Sequence, residues 1–270
     1  MLLKETGFTF NGKHSRRDMG LLYAEKDGHT IIPQIKRNSY EIAGVSGTVL
    51  MGGEQWGLIP IEGTLYPAIE RGTQGEAQDL LRRVAVWLTA GRCRMIFDYE
   101  PDVFYLAELS AASKWSLKNW FGGEIPVKFD AQPFAYNVTE NTATVNTTGS
   151  TAAIGLNVNT GQPAPLALDV KNTGTAPITG VQIAVNGRGV GVRMAGMNLQ
   201  SGQTLTISME PPIGAQIGND GGGTAANALP YAASFAPLFM HSGGNSITVA
   251  LTYGSGGKGA QLIARARGRW

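Results

Sequence analysis

The chain has 270 residues, a length that suits one large or two ordinary domains. Its 22 Lys and Arg nearly balance its 20 Asp and Glu, which argues against the basic stripe of a nucleic-acid-binding protein, and no stretch approaches the roughly 20 apolar residues of a membrane span. The single cysteine, Cys93, excludes an intrachain disulfide framework and a cysteine-rich zinc site, and its alternation with Met95 and Phe97 predicts a buried thiol in a strand.

The first sixty residues predict short strands and one hairpin. Residues 8–10 alternate in polarity before an Asn11-Gly12 turn signal. Tyr40 to Leu50 is rich in Val, Ile and Thr, and a glycine-containing turn leads on to Trp56 to Ile61, so these two segments are predicted to pair as a hairpin. The apolar set Trp56, Leu58, Ile59 and Ile61 exceeds what one strand face needs, which predicts a subunit interface here.

One helix is predicted after Thr73. Thr73 and Glu76 have capping-box spacing, and Gly91 stands where a helix-terminating glycine belongs. Apolar residues recur at helical spacing between them, at Ala77, Leu80, Leu81, Val84 and Leu88, with Trp87 widening the stripe. Arg82 and Arg83 lie off this stripe and are expected to face solvent.

Further strands are predicted up to Tyr136, after which the composition changes. Asp98, Glu100 and Asp102 surround a proline turn between two strands, so an ordinary β-turn is favoured over a Ca²⁺ loop. Residues 137–153 are mostly Asn, Thr, Ser, Gly and Ala and are predicted to be a linker between domains 1–136 and 154–270.

The second half predicts an all-β sandwich. Short apolar alternations are broken by turn signals from Ile154 onward. Residues 214–230 lack periodicity and are predicted to be a loop that is either mobile or ordered only by a partner. The predicted fold class is therefore mainly β with one helix. Near the end, Arg265, Arg267 and Arg269 share one face of a strand, which indicates either a solvated edge strand or a docking face for an acidic neighbour.

The sequence shows no catalytic, cofactor or metal constellation. His14, His29 and His241 do not pair with other ligands at i, i+4, and Gly187 to Gly191 lacks the helix and the Lys-Ser/Thr ending of a phosphate loop. A structural protein without enzymatic activity or cofactor is the first interpretation. Two alternatives stay open: a carbohydrate-binding adhesion protein that acts through the second domain, and a hydrolase whose carboxylates the sequence does not single out.

The first half contains, in this order, the segments FTFNGKHSRRDMGLLY, YEIAGVSGTVLMGG, DLLRRVAVWLTAGRCRMIFDYEPDVFYLAEL and IPVKFDAQPFAY. Their order resembles the distal tail protein family (Dit) of long-tailed phages with non-contractile tails and of related tail-like particles. The opening FTFNGKHSRRDMGLLY is similar to that family's Phe-x-Phe-Asn-Gly start, and YEIAGVSGTVLMGG to its Ile-x-Gly-x-x-Gly strand. DLLRRVAVWLTAGRCRMIFDYEPDVFYLAEL is similar to its helix and the strand pair around an Asp-x-x-Pro-Asp turn. IPVKFDAQPFAY resembles its closing Phe-x-x-x-Pro-Phe strand.

The second half continues the resemblance with NTGQPAPLALDV, LQSGQTLTI and HSGGNSITV, although Ser208 stands where the family often has an acidic residue. The glycine-rich 214–230 segment and the scarcity of charge after residue 150 also depart from the family. The motifs are weak singly, and their shared order carries the resemblance.

The resemblance implies a homo-hexameric ring in the virion, at the tip of a phage tail, after synthesis in the host cytoplasm. The first domains would form the ring and contact the tail tube protein and the tail hub protein. The second domain, galectin-like in the family, would project outward and, in some members, hold receptor-binding or baseplate proteins.

Overall fold

The computed structural model divides the chain into two compact units, Met1–Val138 (unit 1) and Thr139–Trp270 (unit 2). The residues that it describes are 7–26, 33–36, 39–41, 46, 48–50, 55–67, 73–111, 116–119, 122–210, 213–219 and 224–270. The predicted mainly β fold with one helix is confirmed for these residues. In most strands the side chains alternate between a buried and an outward face, as expected of a strand with one face on a core.

The described part of unit 1 consists of β-strands and one helix. The strands are β1 (Phe8–Phe10), β2 (Lys13–His14), β3 (Leu21–Glu25), β4 (Ile35–Lys36), β5 (Ser39–Glu41), β6 (Thr48–Leu50), β7 (Gln55–Trp56), β8 (Ile59–Pro67), β9 (Cys93–Phe97), β10 (Val103–Leu109), β11 (Ser116–Asn119), β12 (Gly122–Ala131) and β13 (Tyr136–Asn137), and the helix is α1 (Gln74–Leu88). The main antiparallel sheet runs β2-β1-β9-β10-β12-β8-β3, with β11 added to β12 and β13 to β10.

Aromatic side chains fill the core of unit 1. Phe8, Phe10, Phe97 and Phe129 are all buried, and the ring of Phe8 lies edge-on to the Tyr23 ring at 5.0 Å between centroids. Such edge contacts add to the stabilisation that burial of the rings already gives. Cys93 lies at the margin of this core and is half-buried, less enclosed than the sequence predicted, because it is the first residue of β9.

Helix α1 begins and packs as predicted. The Thr73 side chain accepts from the Glu76 N–H, and the Glu76 carboxylate accepts from the Thr73 N–H, so both halves of the capping box are present. Leu80, Val84 and Leu88 are buried on the sheet, while Arg82 and Arg83 are exposed. Leu81, another residue of the predicted stripe, is only partly buried against the same core.

The predicted hairpin between residues 40–50 and 56–61 is wrong in its pairing. Strand β5 pairs instead with β6, and β7 pairs with β4. Strand β8 lies inside the main sheet between β12 and β3. Strand β8 pairs with β12 over seven residues and with β3 over five, whereas a local hairpin would pair only one of its edges.

Unit 2 consists of two antiparallel sheets that share one hydrophobic core, the β-sandwich that the sequence predicted. One sheet has the order β14-β25-β16-β19-β20-β21, with β23 added to β16, and the other has the order β15-β24-β17-β18-β22. The strands are β14 (Asn141–Thr147), β15 (Thr151–Val158), β16 (Ala164–Asn172), β17 (Ile178–Val185), β18 (Arg188–Leu199), β19 (Gln203–Ser208), β20 (Gly214–Asn219), β21 (Ala226–Asn227), β22 (Ala232–Phe235), β23 (Phe239–Met240), β24 (Gly243–Tyr253) and β25 (Ala260–Ala266), and Leu229–Tyr231 is a 3-10 turn.

Two segments that were expected to be irregular contain strands. Residues 137–153 are not a linker, because β14 and the start of β15 lie in them and pair with β25 and β24. The predicted 214–230 loop begins with β20, which pairs along its whole length with β19. These strands consist mostly of small, uncharged residues, so their alternation does not appear as a hydrophobicity pattern. Backbone pairing does not depend on side-chain size, and the strands form nevertheless.

A buried asparagine ties the two sheets of unit 2 together. The Asn172 amide, at the end of β16, donates to the carbonyls of Ala176 (2.9 Å) and Leu199 (2.8 Å) and accepts from the Gly174 N–H (3.0 Å). Leu199 ends β18 in the opposite sheet. One fully buried side chain therefore pairs with three backbone groups, two of which are buried carbonyls.

We expect Val84→Asp to destabilise unit 1 by about 3 kcal/mol or more, because the new carboxylate would be buried without a partner. Val84 is 2% exposed, and Val86, two residues further along the same helix, is 76% exposed. Val86→Asp is the matched control and should change the free energy of unfolding by less than about 0.5 kcal/mol. Urea denaturation of both variants at one low protein concentration measures the difference, and equal midpoints would contradict the helix packing.

We expect Asn172→Ala to cost about 3 kcal/mol of stability in unit 2, because the buried carbonyls of Ala176 and Leu199 lose the hydrogen bonds that the amide donates. Asn157→Ala, on the exposed face of β15, should cost less than about 0.5 kcal/mol. Thermal unfolding followed by near-ultraviolet circular dichroism compares the two variants. A melting temperature of Asn172→Ala equal to that of Asn157→Ala would show that the Asn172 hydrogen bonds do not stabilise the packing of the two sheets.

Candidate functional site

Unit 1 presents a groove between helix α1 and the loop that precedes β3. We call it the basic groove; its volume is about 650 Å³, and it is lined by Gly12, Lys13, Asp18, Met19, Arg82, Arg83 and Val86. The groove combines a buried apolar floor at Met19 with charged walls. Arginine and methionine are enriched at protein interfaces relative to the rest of the surface, so a groove with two arginines and a methionine floor suits contact with another protein.

One wall of the basic groove is positioned by a tight turn. Asn11 and Gly12 both have positive φ angles, 48° and 71°, as a two-residue hairpin turn of the primed type requires. The turn joins β1 to β2 and places Lys13 at the rim. The Asn-Gly pair therefore has a conformational role, because most other residues would be strained at these backbone angles.

The loop that follows is organised by His14. Its Nδ1 atom accepts from the backbone N–H groups of Arg16 (3.1 Å) and Arg17 (3.0 Å). Its Nε2 atom lies 3.0 Å from an oxygen of Asp98 on the turn after β9. Because Nδ1 meets two donors it carries no hydrogen, so Nε2–H donates to Asp98 and the imidazole is neutral in this arrangement.

The charges around the basic groove are only partly paired. Asp18 accepts from the His14 N–H (2.7 Å) and from the Arg17 side chain (3.4 Å), and these two hydrogen bonds lower its pKa. Arg82 pairs with Asp79 at 3.0 Å. Lys13 and Arg83 make no ion pair with any residue that the structure describes. The groove is thus left with two cations beside the exposed Val86 side chain.

The predicted subunit-interface set divides into core and surface residues. Ile59 and Ile61 are buried in the core of unit 1 and belong to its own packing. Leu58 is 45% exposed, and Trp56 is half-buried with its ring 5.9 Å from the Phe134 ring. A contact with a neighbouring subunit stays a prediction for Leu58 and Trp56, whereas the two isoleucines already have partners inside their own chain.

The three predicted docking arginines lie in or after an interior strand. The edge-strand interpretation is wrong, because β25 pairs on one side with β14 and on the other with β16. Arg265 lies 2.8 Å from a carboxylate oxygen of Asp169, and Arg267 lies 3.3 Å from one of Glu140.

The third arginine, Arg269, places its guanidinium 5.4 Å from the centre of the Phe239 ring. Since Arg265 and Arg267 pair within unit 2, less of their charge is available to an acidic neighbour than the sequence suggested. A docking role for this face stays a prediction.

The acidic turn after β9 is the β-turn that the proline indicated. The Glu100 carboxylate accepts from the Tyr105 hydroxyl at 3.3 Å, and burial together with the Glu100 charge raises the pKa of Tyr105 to about 12. The described ranges contain no group of three His, Cys, Asp or Glu side chains that could hold a metal ion. They also contain no helix long and apolar enough to cross a membrane.

The basic groove could not be identified from the sequence, because its residues come from two segments far apart in the chain. A signal was present: Val86 is an aliphatic residue off the apolar stripe of helix α1, beside Arg82 and Arg83. The two arginines are the stronger part of this signal, because arginine is enriched at protein interfaces. Which loop would lie opposite could not be read from the sequence, since it depends on the tertiary packing of the helix.

Comparison with known proteins gives a match through structure alone. No family model matches the sequence, and no curated protein matches it. The fold is shared with the Dit protein (gp 19.1) of phage SPP1, described as a paradigm of the hub adsorption apparatus in phages that infect Gram-positive bacteria. That match has a TM-score of 0.62 and 12% sequence identity over 98% of this chain and 99% of the other.

Two chains from baseplate structures are similar in the same way. One, from the phage P2 baseplate in its activated conformation with Ca, has a TM-score of 0.60 and 13% identity over 97% of this chain and 98% of the other. The other, from the same baseplate with Sr, has a TM-score of 0.55 and 14% identity over 96% of this chain and 98% of the other. The chain therefore has a Dit-like fold over nearly its whole length, as the order of its motifs predicted.

Proposed function

We propose that the protein is a structural component of a phage tail tip or baseplate, and that it forms a hexameric hub ring between the tail tube and the tail-tip proteins. The observation that carries this proposal is the shared fold, which spans 98% of this chain and 99% of the SPP1 Dit protein. A match to both units supports a common architecture more strongly than a match to one β-sandwich would, since sandwiches occur in many unrelated proteins.

Unit 1 is the proposed ring-forming part. A cyclic ring needs heterologous contacts, in which one patch of each subunit meets a different patch of the next. The basic groove is a suitable first patch, because Lys13 and Arg83 are unpaired among the described residues and Val86 is exposed between the charged walls. The neighbouring copy would supply an apolar surface with at least one carboxylate.

Unit 2 is the proposed platform for further proteins. Its described outward positions are rich in Thr, Asn, Gln and Ser, and residues 150–270 hold few charges. Such surfaces bind through hydrogen bonds and shape more than through electrostatic steering. In this proposal the tail tube protein and the tail hub protein contact the ring, receptor-binding or baseplate proteins contact unit 2, and the protein acts in the virion without catalytic activity.

We expect the purified protein to form rings with six copies, and Val86→Asp to reduce the hexamer fraction about tenfold or more. The new carboxylate would remove an apolar contact and be desolvated in the interface, and a loss of about 1.4 kcal/mol per contact already gives a tenfold change. Native mass spectrometry across a dilution series measures the effect.

The matched control for the ring is Gln78→Asp, which adds the same charge to an exposed position of helix α1 outside the basic groove. It should assemble like the unmodified protein. A monomer at every concentration for the unmodified protein would contradict the hub proposal. A hexamer that Val86→Asp leaves intact would show that the ring uses another surface.

We expect a chain that ends at Val138 to retain ring formation and to lose the binding of receptor-binding or baseplate proteins. The cut lies at the boundary between the two units, so it removes no strand from unit 1. Negative-stain electron microscopy detects the ring, and co-purification with the other tail-tip proteins detects their binding. Monomers of a folded unit 1 would contradict this division of roles.

A further inference from the structure

The outward face of the seven-stranded sheet in unit 2 contains a second groove, distinct from the basic groove of unit 1 and adjacent to Arg265. We call it the polar groove; its volume is about 460 Å³, and the residues that define it are Asp169, Lys171, Thr206, Gln216, Gln261 and Ile263. It crosses strands β25, β16, β19 and β20. Four strands about 4.8 Å apart give a path of about 14 Å from the first strand to the last.

Strand register places these side chains in two rows across the sheet. In one row Ile263 faces Asp169, Asp169 faces Thr206, and Thr206 faces Gln216. In the neighbouring row Gln261 faces Lys171, and Lys171 faces Thr204. Directly opposed residues on one sheet face lie about 5 Å apart, so each row forms a continuous line. The first row combines three polar side chains with the aliphatic Ile263, and the second row is polar throughout.

Three side chains in the polar groove have hydrogen-bonding groups that no described residue uses. These are the hydroxyl of Thr206 and the amides of Gln216 and Gln261. Thr206 and Gln261 are half-buried at the floor, where an unused donor or acceptor is costlier than at an open surface. Amides and hydroxyls both donate and accept, so together they match a ligand that does the same.

The other groups in the polar groove fix its charge and its shape. The Arg265 guanidinium holds Asp169 from one side, at 2.9 Å to Oδ1 and 2.8 Å to Oδ2, so the carboxylate is oriented while it keeps further acceptor capacity. Ile263 supplies a half-buried aliphatic surface beside it. Gly218 and Ala225 also line the groove, and their small size leaves it open.

We propose that the polar groove binds a saccharide chain. A sugar ring presents several hydroxyl groups, each a donor and an acceptor, around an apolar face of C–H groups. The two rows offer partners for both parts, with the amides and Asp169 for the hydroxyls and Ile263 for the C–H face. The volume of the groove, about 460 Å³, is also within the range of small-ligand sites.

The proposal goes beyond the hub function and does not depend on it, because the groove lies within unit 2 and requires no ring. Nucleic acid is disfavoured as the occupant, since Asp169 lies in the floor and Lys171 is the only cation among the described residues that line the groove. In a tail-tip protein, a saccharide groove would give a direct contact with the polysaccharides of a cell surface.

The experiment uses the full chain and an array of bacterial surface polysaccharides and their oligosaccharide fragments, followed by calorimetric titration of the fragment with the strongest signal. The double variant Gln216→Ala/Gln261→Ala should weaken binding about tenfold or more, because two hydrogen bonds are lost. Thr206→Val keeps the shape of the floor and should weaken binding about threefold or more, because it removes one hydroxyl.

The matched control is Gln182→Ala, a half-buried glutamine on β17 of the opposite sheet. It should bind as the unmodified protein does, and the melting temperatures of all variants should agree within a few degrees. Absence of binding to every saccharide on the array would overturn the proposal. Binding that the groove variants leave unchanged would overturn the assignment of the site. Native mass spectrometry of the same samples reports on the ring separately, so failure of one proposal is distinguishable from failure of the other.

Discussion

The position of helix α1 depends on one buried hydrogen bond, from the Trp87 indole to the carbonyl of Phe10, at 2.7 Å. An indole N–H in an apolar core requires an acceptor, and the Phe8 ring stacked 5.5 Å from the indole leaves little freedom to find another. Together with the buried Leu80, Val84 and Leu88, this pair defines which side of the helix meets the sheet. Val86 then faces the solvent, where it lines the basic groove.

Unit 2 depends on a different constraint, the two-residue period of a strand. Inward side chains form one core shared by both sheets. Outward side chains line up across neighbouring strands on the solvent-facing side of each sheet. A slip of one residue would exchange the two sets and place Asp169 in the core. The hydrophobic core therefore determines the register that assembles the polar groove, although none of the groove's hydrogen-bonding groups contributes to that core.

Local signals in the sequence predicted what is local in the structure. The Thr73–Glu76 box and the stripe at Leu80 and Val84 define the helix, because capping and periodicity act within a few residues. Pairing was mispredicted around β8, since the choice between a neighbouring hairpin and two distant strands depends on the whole sheet. The ion pair of Arg265 with Asp169 joins residues 96 positions apart in the chain, and nothing in a strand pattern reveals such a partner.

The loop around His14 has a consequence for spectroscopy. Two backbone N–H groups meet Nδ1, and Asp98 meets Nε2, so the neutral ring is held as one tautomer while free histidine exchanges between two. The ¹⁵N chemical shifts of the two ring nitrogens should then be widely separated. Because the same loop forms a wall of the basic groove, those resonances provide a local reporter of whether a second molecule occupies it.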